Sequence, residues 1–560
     1  MAAQIERIPV RRQCKQRVRL ARRAFVPVAL IAALGCTASR PPETTAATSE
    51  APRAYPGWAN GAVFYEVFVR SFQDSNGDGK GDLTGLISRL DYLNDGKPET
   101  DSDLGVDALW LMPVFASPSY HGYDTTDYER VNPDYGSNAD LTRLCTEAHR
   151  RGMRVIVDLV LNHTSREHPW FIDSASGPTS AKRDWYLWSS MDLHWPQPWN
   201  PAGNTWHLKN GAWYYGLFWA GMPDLNLRTP VVRTEMERIA ALWLDRGVDG
   251  FRLDAVRHLI EDGAGDAQND TPETHAYLKR FAAHVRAVKP DAVLVGEAWT
   301  ETPKIAVYYG STEKVPGGDE LPLNFDFPLA KKIVEGVEVG ESKSIAATLR
   351  EIASTYPPGA TDVPFLTNHD MRRVASVLKG DAAKLRSAAA ILLSLPGTPF
   401  LYYGEELGLL NGTADGDEAK RTPMPWTGGA GGGFTTGTPW YRFAPEQATT
   451  HVAAQTGDPR SLLSHYRRWI RARHSSPALS RGELRLLQAE GPVLAFLRTR
   501  GTERILVGHN LGPEPLEISI PVETNRAEPL LATDGATATR EGSAVRLTLP
   551  PYASGAFRLQ

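Results

Sequence analysis

RVIVDLVLNH (154 to 163) is an apolar run broken only by Asp158 and closing on Asn162 and His163. It has seven counterparts along the chain: AVFYEVFVR (62 to 70), ALWLMPVF (108 to 115), GFRLDAV (250 to 256), AVLVGEAW (292 to 299), NFDF (324 to 327), FLTNHD (365 to 370) and PFLYYGEELG (399 to 408). Helical patterns lie between them, some with readable ends. One run opens on Thr229-Pro230, a polar cap and then proline at the first helical position, and closes at Gly247. Short apolar strands alternating with helices mark repeated β-α units and a parallel sheet. Eight such units close into a (β/α)₈ TIM barrel of the α/β class, whose active site sits at the carboxyl ends of the strands. Polar residues gather at those ends: Asp158, Asn162 and His163, then Arg252 and Asp254, then Glu297, then His369 and Asp370.

Two segments break the alternation. A tryptophan-rich stretch, residues 164–221, separates the third strand from its helix, and a βα loop of that length usually walls an active site. After SLLSHYRRWIRARHSS, residues 481–560 read as short strands with turns between them (ELRLLQ, VLAFLRTR, ERILVGHNL, LEISIPV, AVRLTLP), a C-terminal all-β sandwich. The barrel thus occupies 55–163 and 222–480, with an inserted domain at 164–221.

The 560 residues suit one large barrel with satellites. Lys+Arg of 61 against Asp+Glu of 65 leaves a formal charge of -4, which excludes nucleic acid as a partner, since a duplex binder needs surplus basic residues. Eight of the 15 tryptophans fall between Trp170 and Trp219, and flat apolar rings suit flat-faced ligands such as sugars. The basic leader RRQCKQRVRLARR runs into an apolar stretch from Ala24 to Gly35, too short to span a bilayer but right for a signal segment. It ends at Cys36 and is followed by a Thr/Ala/Ser/Pro/Glu-rich tract. The arrangement resembles a bacterial lipoprotein signal (1–36) with a flexible tether (37–54), making Cys36 a lipid anchor and the protein exported. The alternative is a cleaved secretory peptide in which Cys36 is incidental.

Splitting a glycosidic bond with retention needs two carboxyls about 5 to 5.5 Å apart, one to attack the anomeric carbon and one to protonate the leaving oxygen. Asp254 and Glu297, at adjacent strand ends, are placed for that pairing. Arg252 points to the same side as Asp254 and can hold it ionised, while Ala298 and Trp299 suit a protonated Glu297. Asp370 adds charge opposite an oxocarbenium-like centre, and His163 and His369 can donate to sugar hydroxyls. The bland alternative for any one of them is a strand-end polar group in a structural network.

At these residues the chain resembles the α-amylase family of glycoside hydrolases. The resemblance rests on DLVLNH (158 to 163), GFRLDAVRH (250 to 258), GEAW (296 to 299) and FLTNHD (365 to 370), with HGYDTTDY (121 to 128), MPDLN (222 to 226) and KRTPMPW (420 to 426) in the family's order. MPDLN resembles a branch between oligo-1,6-glucosidases and neopullulanases that includes exported bacterial α-amylases. The resemblance implies Asp254 as nucleophile, Glu297 as acid/base and Asp370 as transition-state stabiliser. It implies Tyr123 stacking on the sugar, with His121, His163, Arg252, His369, Arg421 and Asp417 around it. Arg257 and His258 resemble the basic residue and histidine that α-amylases set on the leaving side, and Ala255, where valine accompanies α-1,6 preference, points to α-1,4 bonds.

The segment Asp74-Ser-Asn76-Gly-Asp78-Gly-Lys80-Gly-Asp82 alternates oxygen side chains with glycines, a pattern that can wrap a hard cation. It is not an EF-hand, because the twelfth position is Gly85, and its plainer reading is a polar turn. Related α-glucosidase-type enzymes bind Ca²⁺ in a similar loop, which implies Asp74, Asn76, Asp78, Asp82 and the Lys80 carbonyl as ligands. The expectation is a monomeric, exported, retaining hydrolase of α-1,4-glucan (starch, maltodextrins). The alternatives are an exo-acting α-glucosidase or a transglycosylase, and, from another class, a non-catalytic glucan-binding lipoprotein.

Overall fold

The computed structural model describes residues 57–313 and 315–560. The signal segment, Cys36 and the tether to residue 54 lie outside the described residues.

Eight parallel strands form one sheet: β1 (Phe64–Val67), β2 (Ala108–Leu111), β3 (Arg154–Leu159), β4 (Gly250–Leu253), β5 (Val293–Gly296), β6 (Leu323–Phe325), β7 (Thr361–Val363) and β8 (Phe400–Tyr402). Their order is β7-β6-β5-β4-β3-β2-β1-β8, and a parallel bridge between Phe365 and Phe400 joins the ends into a barrel. Alternate residues point inward, so Phe64, Trp110, Ile156, Val295, Phe325 and Phe400 fill the interior as one apolar cluster. Helices such as Pro230–Asp245, with Pro at its first turn, cover the outside.

Most strands are shorter than the apolar runs and the seventh lies ahead of its run, each for a local reason. The seventh run was expected at 365 to 370, but the strand is Thr361–Val363. Pro364 has no N–H to continue the ladder, so Phe365 makes only the closing bridge and the NHD segment lies in the following loop. The fourth run stops at Leu253, because Ala255 takes a left-handed conformation (φ 47°, ψ 41°) and turns the chain into a short 3₁₀ helix, Val256–His258. The eighth ends at Tyr402, before the turn at Gly404 (φ 79°).

Between β3 and β4 lie a helix (Pro169–Ser174), a three-stranded sheet (Trp188–Ser189, Ala212–Tyr215, Trp206–Lys209) and a two-stranded ribbon (Pro196–Gln197, Asn200–Asn204). Single bridges, His163 to Asp224 and Tyr186 to Leu225, clip this insert onto the mouth of the barrel.

After helix Leu462–His474 come β9 (Glu483–Glu490), β10 (Val493–Arg500), β11 (Glu503–Asn510), β12 (Leu516–Ile520), β13 (Ala527–Ala532), β14 (Thr537–Glu541), β15 (Ala544–Leu549) and β16 (Ser554–Leu559). They form two antiparallel sheets, ordered β9-β10-β11-β16-β13 and β12-β15-β14. Along β10, Val493, Ala495 and Leu497 enter the core between the sheets, while Leu494 and Phe496 join the large core that covers the barrel. Among the described residues the cysteine is Cys145, buried and unbridged, and no helix is long and apolar enough to cross a membrane.

Candidate active site

The site is built around Arg252. It stands on β4 opposite Asp158 of β3, is fully buried, and lies 5.3 Å over the ring of Trp110. Its Nη1 donates to Asp158 Oδ1 (2.8 Å) and Oδ2 (3.0 Å) and to Asp254 Oδ1 (2.7 Å). Its Nη2 lies 2.8 Å from Glu297 Oε2, an ion pair outside hydrogen-bonding angles. One guanidinium therefore faces three carboxyl groups from adjacent strands. Two of them, Asp254 and Glu297, sit just past the ends of β4 and β5 and line the cleft above.

Their surroundings separate their roles. Burial pushes the Glu297 carboxyl up to about 8; Arg252 opposes this, and the Asp254 and Asp370 charges reinforce it. The Ala255 N–H donates to Glu297 Oε2 (3.0 Å) and fixes its orientation. Asp254 faces the fixed positive charge of Arg252. Burial raises Asp158 to about 6 against the pull of Arg252.

Across the cleft, Asp370 is held by Arg421 Nη2 (2.8 Å) and His369 Nε2 (3.1 Å). Burial resists its ionisation, but those two cations outweigh it and hold the carboxyl far below the usual range. His369 shows the reverse balance: burial opposes its charge, yet Asp370 and Glu66 raise it to about 9. Its Nδ1 pairs with Glu66 Oε1, and its Nε2 lies 2.7 Å from the Tyr123 hydroxyl, which donates on to Asp158 Oδ2 (3.0 Å).

The cleft has a volume of about 940 Å³. Asp254, Glu297, Asp370, His121, Tyr123, His163, Arg257, His258, Asp417 and Arg421 all line it, whereas Arg252 and His369 lie beneath its floor, fully buried. His163 is buried, with its Nδ1 2.9 Å from Asn162 Oδ1, and burial lowers this histidine to about 4. His121 Nδ1 accepts from the Tyr123 N–H (3.1 Å). Asp417 sits half-exposed on the rim, paired with Lys420 (2.7 Å). The donors of Arg257 are committed elsewhere: Nε and Nη2 grip Asp270 (2.8 and 2.7 Å), and Nη1 donates to the Trp299 carbonyl (3.0 Å). His258 Nδ1 lies 3.3 Å from the Gln268 carbonyl, and its ring packs edge-on to Trp199.

Sequence reasoning passed over Glu66, although a carboxylate at an inward position of an apolar strand must find a buried partner. It also named no partner for Asp158 and passed over Phe218 in the cleft wall.

The acidic loop after β1 is knit to its own backbone. Asp74 accepts from the amides of Asn76 (2.9 Å), Gly77 (2.8 Å) and Gly79 (2.9 Å) and from Thr435 Oγ1. Burial resists its ionisation, but these bonds outweigh burial and lower its pKa. Asp82 accepts from Ser75 N (2.8 Å) and Gly85 N (2.7 Å), Asn76 from Asp78 N (2.8 Å) and Asp78 from Lys80 N (2.8 Å). The all-oxygen donor set fits a hard cation in kind. Among the described residues, no three His, Cys, Asp or Glu side chains are gathered closely enough to hold an ion.

Comparison with known proteins agrees with this architecture. The family model described as "Alpha amylase, catalytic domain" matches residues 66–482, and "Alpha-amylase SusG C-terminal domain" matches residues 493–555. Alpha-amylase 3 of Dictyoglomus thermophilum is 40% identical over 458 residues, 81% of this chain and 85% of its own length. The trehalose synthase of Pimelobacter sp. is 36% identical over 521 residues, 83% of this chain and 89% of its own. The crystal structure of the alpha-amylase from H. orenii superposes with a TM-score of 0.82 at 37% identity, covering 90% of this chain and all of that one. With the barrel, the carboxylate site and both matched segments in agreement, the chain belongs to the alpha-amylase family of glycoside hydrolases.

Proposed function

We propose that the protein hydrolyses internal α-1,4-glucosidic bonds of starch and maltodextrins with retention, through a glycosyl-enzyme ester on Asp254. One observation carries this reading: Asp254 and Glu297 share a buried arginine, while burial keeps the Glu297 proton in place at neutral pH. Asp254 attacks the anomeric carbon as Glu297 gives its proton to the leaving oxygen. Glu297, now ionised, then takes a proton from the water that cleaves the ester. Asp370, held as an anion by His369 and Arg421, faces the oxocarbenium-like sugar in the transition state of each step. Tyr123 offers a ring face to that sugar, with His121, His163 and Arg421 beside it.

The same machinery serves an exo-acting glucosidase or a transglycosylase, and a chromatographed time course on maltoheptaose, pullulan and soluble starch separates them. Mixed oligomers at early times support endo hydrolysis. Glucose alone from the start overturns it in favour of exo action, and longer or isomeric products in favour of transfer. We also propose that the protein is exported, anchored through Cys36 and monomeric, and that Ca²⁺ held by Asp74, Asn76, Asp78, Asp82 and the Lys80 carbonyl would brace the first loop. The leader's basic-then-apolar pattern supports export and anchoring, and the loop's oxygen donors support the cation assignment.

A further inference from the structure

Glu66 stands on β1 two residues past Phe64, so its side chain turns into the barrel, in register with Trp110 of β2 and Tyr402 of β8. It is 2% exposed and does not line the cleft. A carboxylate in such a layer is costly unless a cation meets it. Its partner is His369, whose Nδ1 lies 2.5 Å from Glu66 Oε1.

The other ring nitrogen decides how many protons the histidine carries. Nε2 faces two oxygens, the Tyr123 hydroxyl (2.7 Å) and Asp370 Oδ2 (3.1 Å). The hydroxyl gives its own proton to Asp158 Oδ2 (3.0 Å), so toward the histidine it accepts. A neutral imidazole has one N–H and would aim a lone pair at oxygen on one side or the other. Only the imidazolium, with a proton on each nitrogen, satisfies Glu66, Asp370 and Tyr123 together. Burial opposes that charge, and the two flanking carboxylates outweigh it. Burial also pushes the Tyr123 hydroxyl above the usual phenol range, so it keeps its proton while His369 titrates.

The ring is fixed as well as charged. It stacks on Tyr123 (ring centres 5.5 Å apart, planes inclined by 19°) and meets Trp110 edge-on (5.7 Å, 71°). Arg421 Nε donates to the His369 carbonyl (3.1 Å), and Asp158, paired with Arg252, adds a further charge beside the ring.

We propose that Glu66 is a positioning residue for the cleavage: it holds His369 doubly protonated, and the Nε2 proton so fixed keeps Asp370 and the Tyr123 ring in place around the sugar. This deepens the glucan-cleaving reading above and rests on it.

The test uses the full-length enzyme and α-maltosyl fluoride, whose leaving group needs little proton donation. In Glu297→Gln the acid no longer shapes the profile, so the initial burst of fluoride should hold its rate until His369 loses its proton near pH 9. Adding Glu66→Gln removes one of the two flanking carboxylates and should move that fall down by about 1 to 3 pH units. The loss should be small at pH 6 and grow with pH. Glu66→Asp keeps the charge at a longer reach and should place the fall between the two, which gives a second reading should the glutamine variant not fold. On maltoheptaose, Glu66→Gln alone should lower kcat with KM nearly constant, since the residue lies below the floor of the cleft. A fall that stays at its original pH in either variant overturns the proposal, as does a loss equal at every pH, the mark of a merely structural contact. Should the wild type leave maltoheptaose intact and release no fluoride, the proposal falls together with the reading beneath it. An active wild type with an unmoved fall sinks the proposal alone.

Discussion

Glu297→Gln removes one proton and almost no volume, so its effects can be worked out from the burial of that carboxyl. An acid at about 8 is roughly nine-tenths protonated at pH 7, whereas an ordinary glutamate near 4.5 would be protonated in about one molecule in 300. Burial thus supplies the acid form, and deleting it should cost on the order of 10² to 10⁴ in kcat on maltoheptaose. Maltosyl fluoride needs little proton donation, so its first step should lose far less. The wild-type profile should fall as pH rises through about 8, and in Glu297→Gln that limb should vanish for the fluoride. Stability gives a second readout. Because the folded pKa lies above the unfolded one, the contribution of Glu297 is fully present below about pH 4.5 and lost as pH rises through about 8. Glutamine does not ionise, so Tm of the variant minus Tm of the wild type should grow between pH 5 and pH 9. Equal losses on both substrates, with the alkaline limb unmoved, would refute the acid role.

Asp254→Asn should abolish turnover by a factor of many thousands while leaving Tm and maltoheptaose binding nearly intact; near-normal activity of the purified variant would remove Asp254 from the chemistry. Chelation should lower Tm more than it lowers the chemical rate, since the loop of Asp74 to Asp82 gives no group to the cleft, and Asp78→Ala should abolish that sensitivity. If chelator and substitution both leave Tm unchanged, the loop is only a turn. Maltotriose should be cleaved faster than isomaltotriose by roughly tenfold or more, and a reversed order would cancel the linkage assignment. Ala255→Val forces a β-branched side chain into a left-handed conformation and should cost about 1 to 2 kcal/mol, read as a fall in Tm; an unchanged Tm would show that the turn relaxes freely.

The barrel and the three acids were legible because they depend on local pattern. Seven of the eight apolar runs overlap a barrel strand, and the polar residues where the runs stop mark the mouth. Strand lengths were less legible, since Pro364 and the left-handed Ala255 end their strands through backbone geometry that hydrophobicity does not encode. Three sandwich strands, Ala527–Ala532, Thr537–Glu541 and Ser554–Leu559, escaped notice because the first lies half-exposed, the second almost fully exposed, and the last begins with small residues. Pairings between distant segments left no local trace at all. Glu66 and His369 are 303 residues apart, and nothing near Arg257 announces that its charge belongs to Asp270.

The two arms of Arg252 bear on how the interior tolerates the reaction. In the proposed mechanism, transfer of the sugar to Asp254 turns that carboxylate into a neutral ester, and in the same step Glu297 gives up its proton and becomes an anion. The negative charge crosses from one nitrogen of the guanidinium to the other, like a load shifting on a seesaw, and returns when water cleaves the ester. A dry interior adjusts poorly to a new net charge, because few mobile dipoles are at hand to solvate it. With its pivot fully buried, the enzyme can pass through both halves of its cycle without an ion entering or leaving, and with the local charge the same at every resting point.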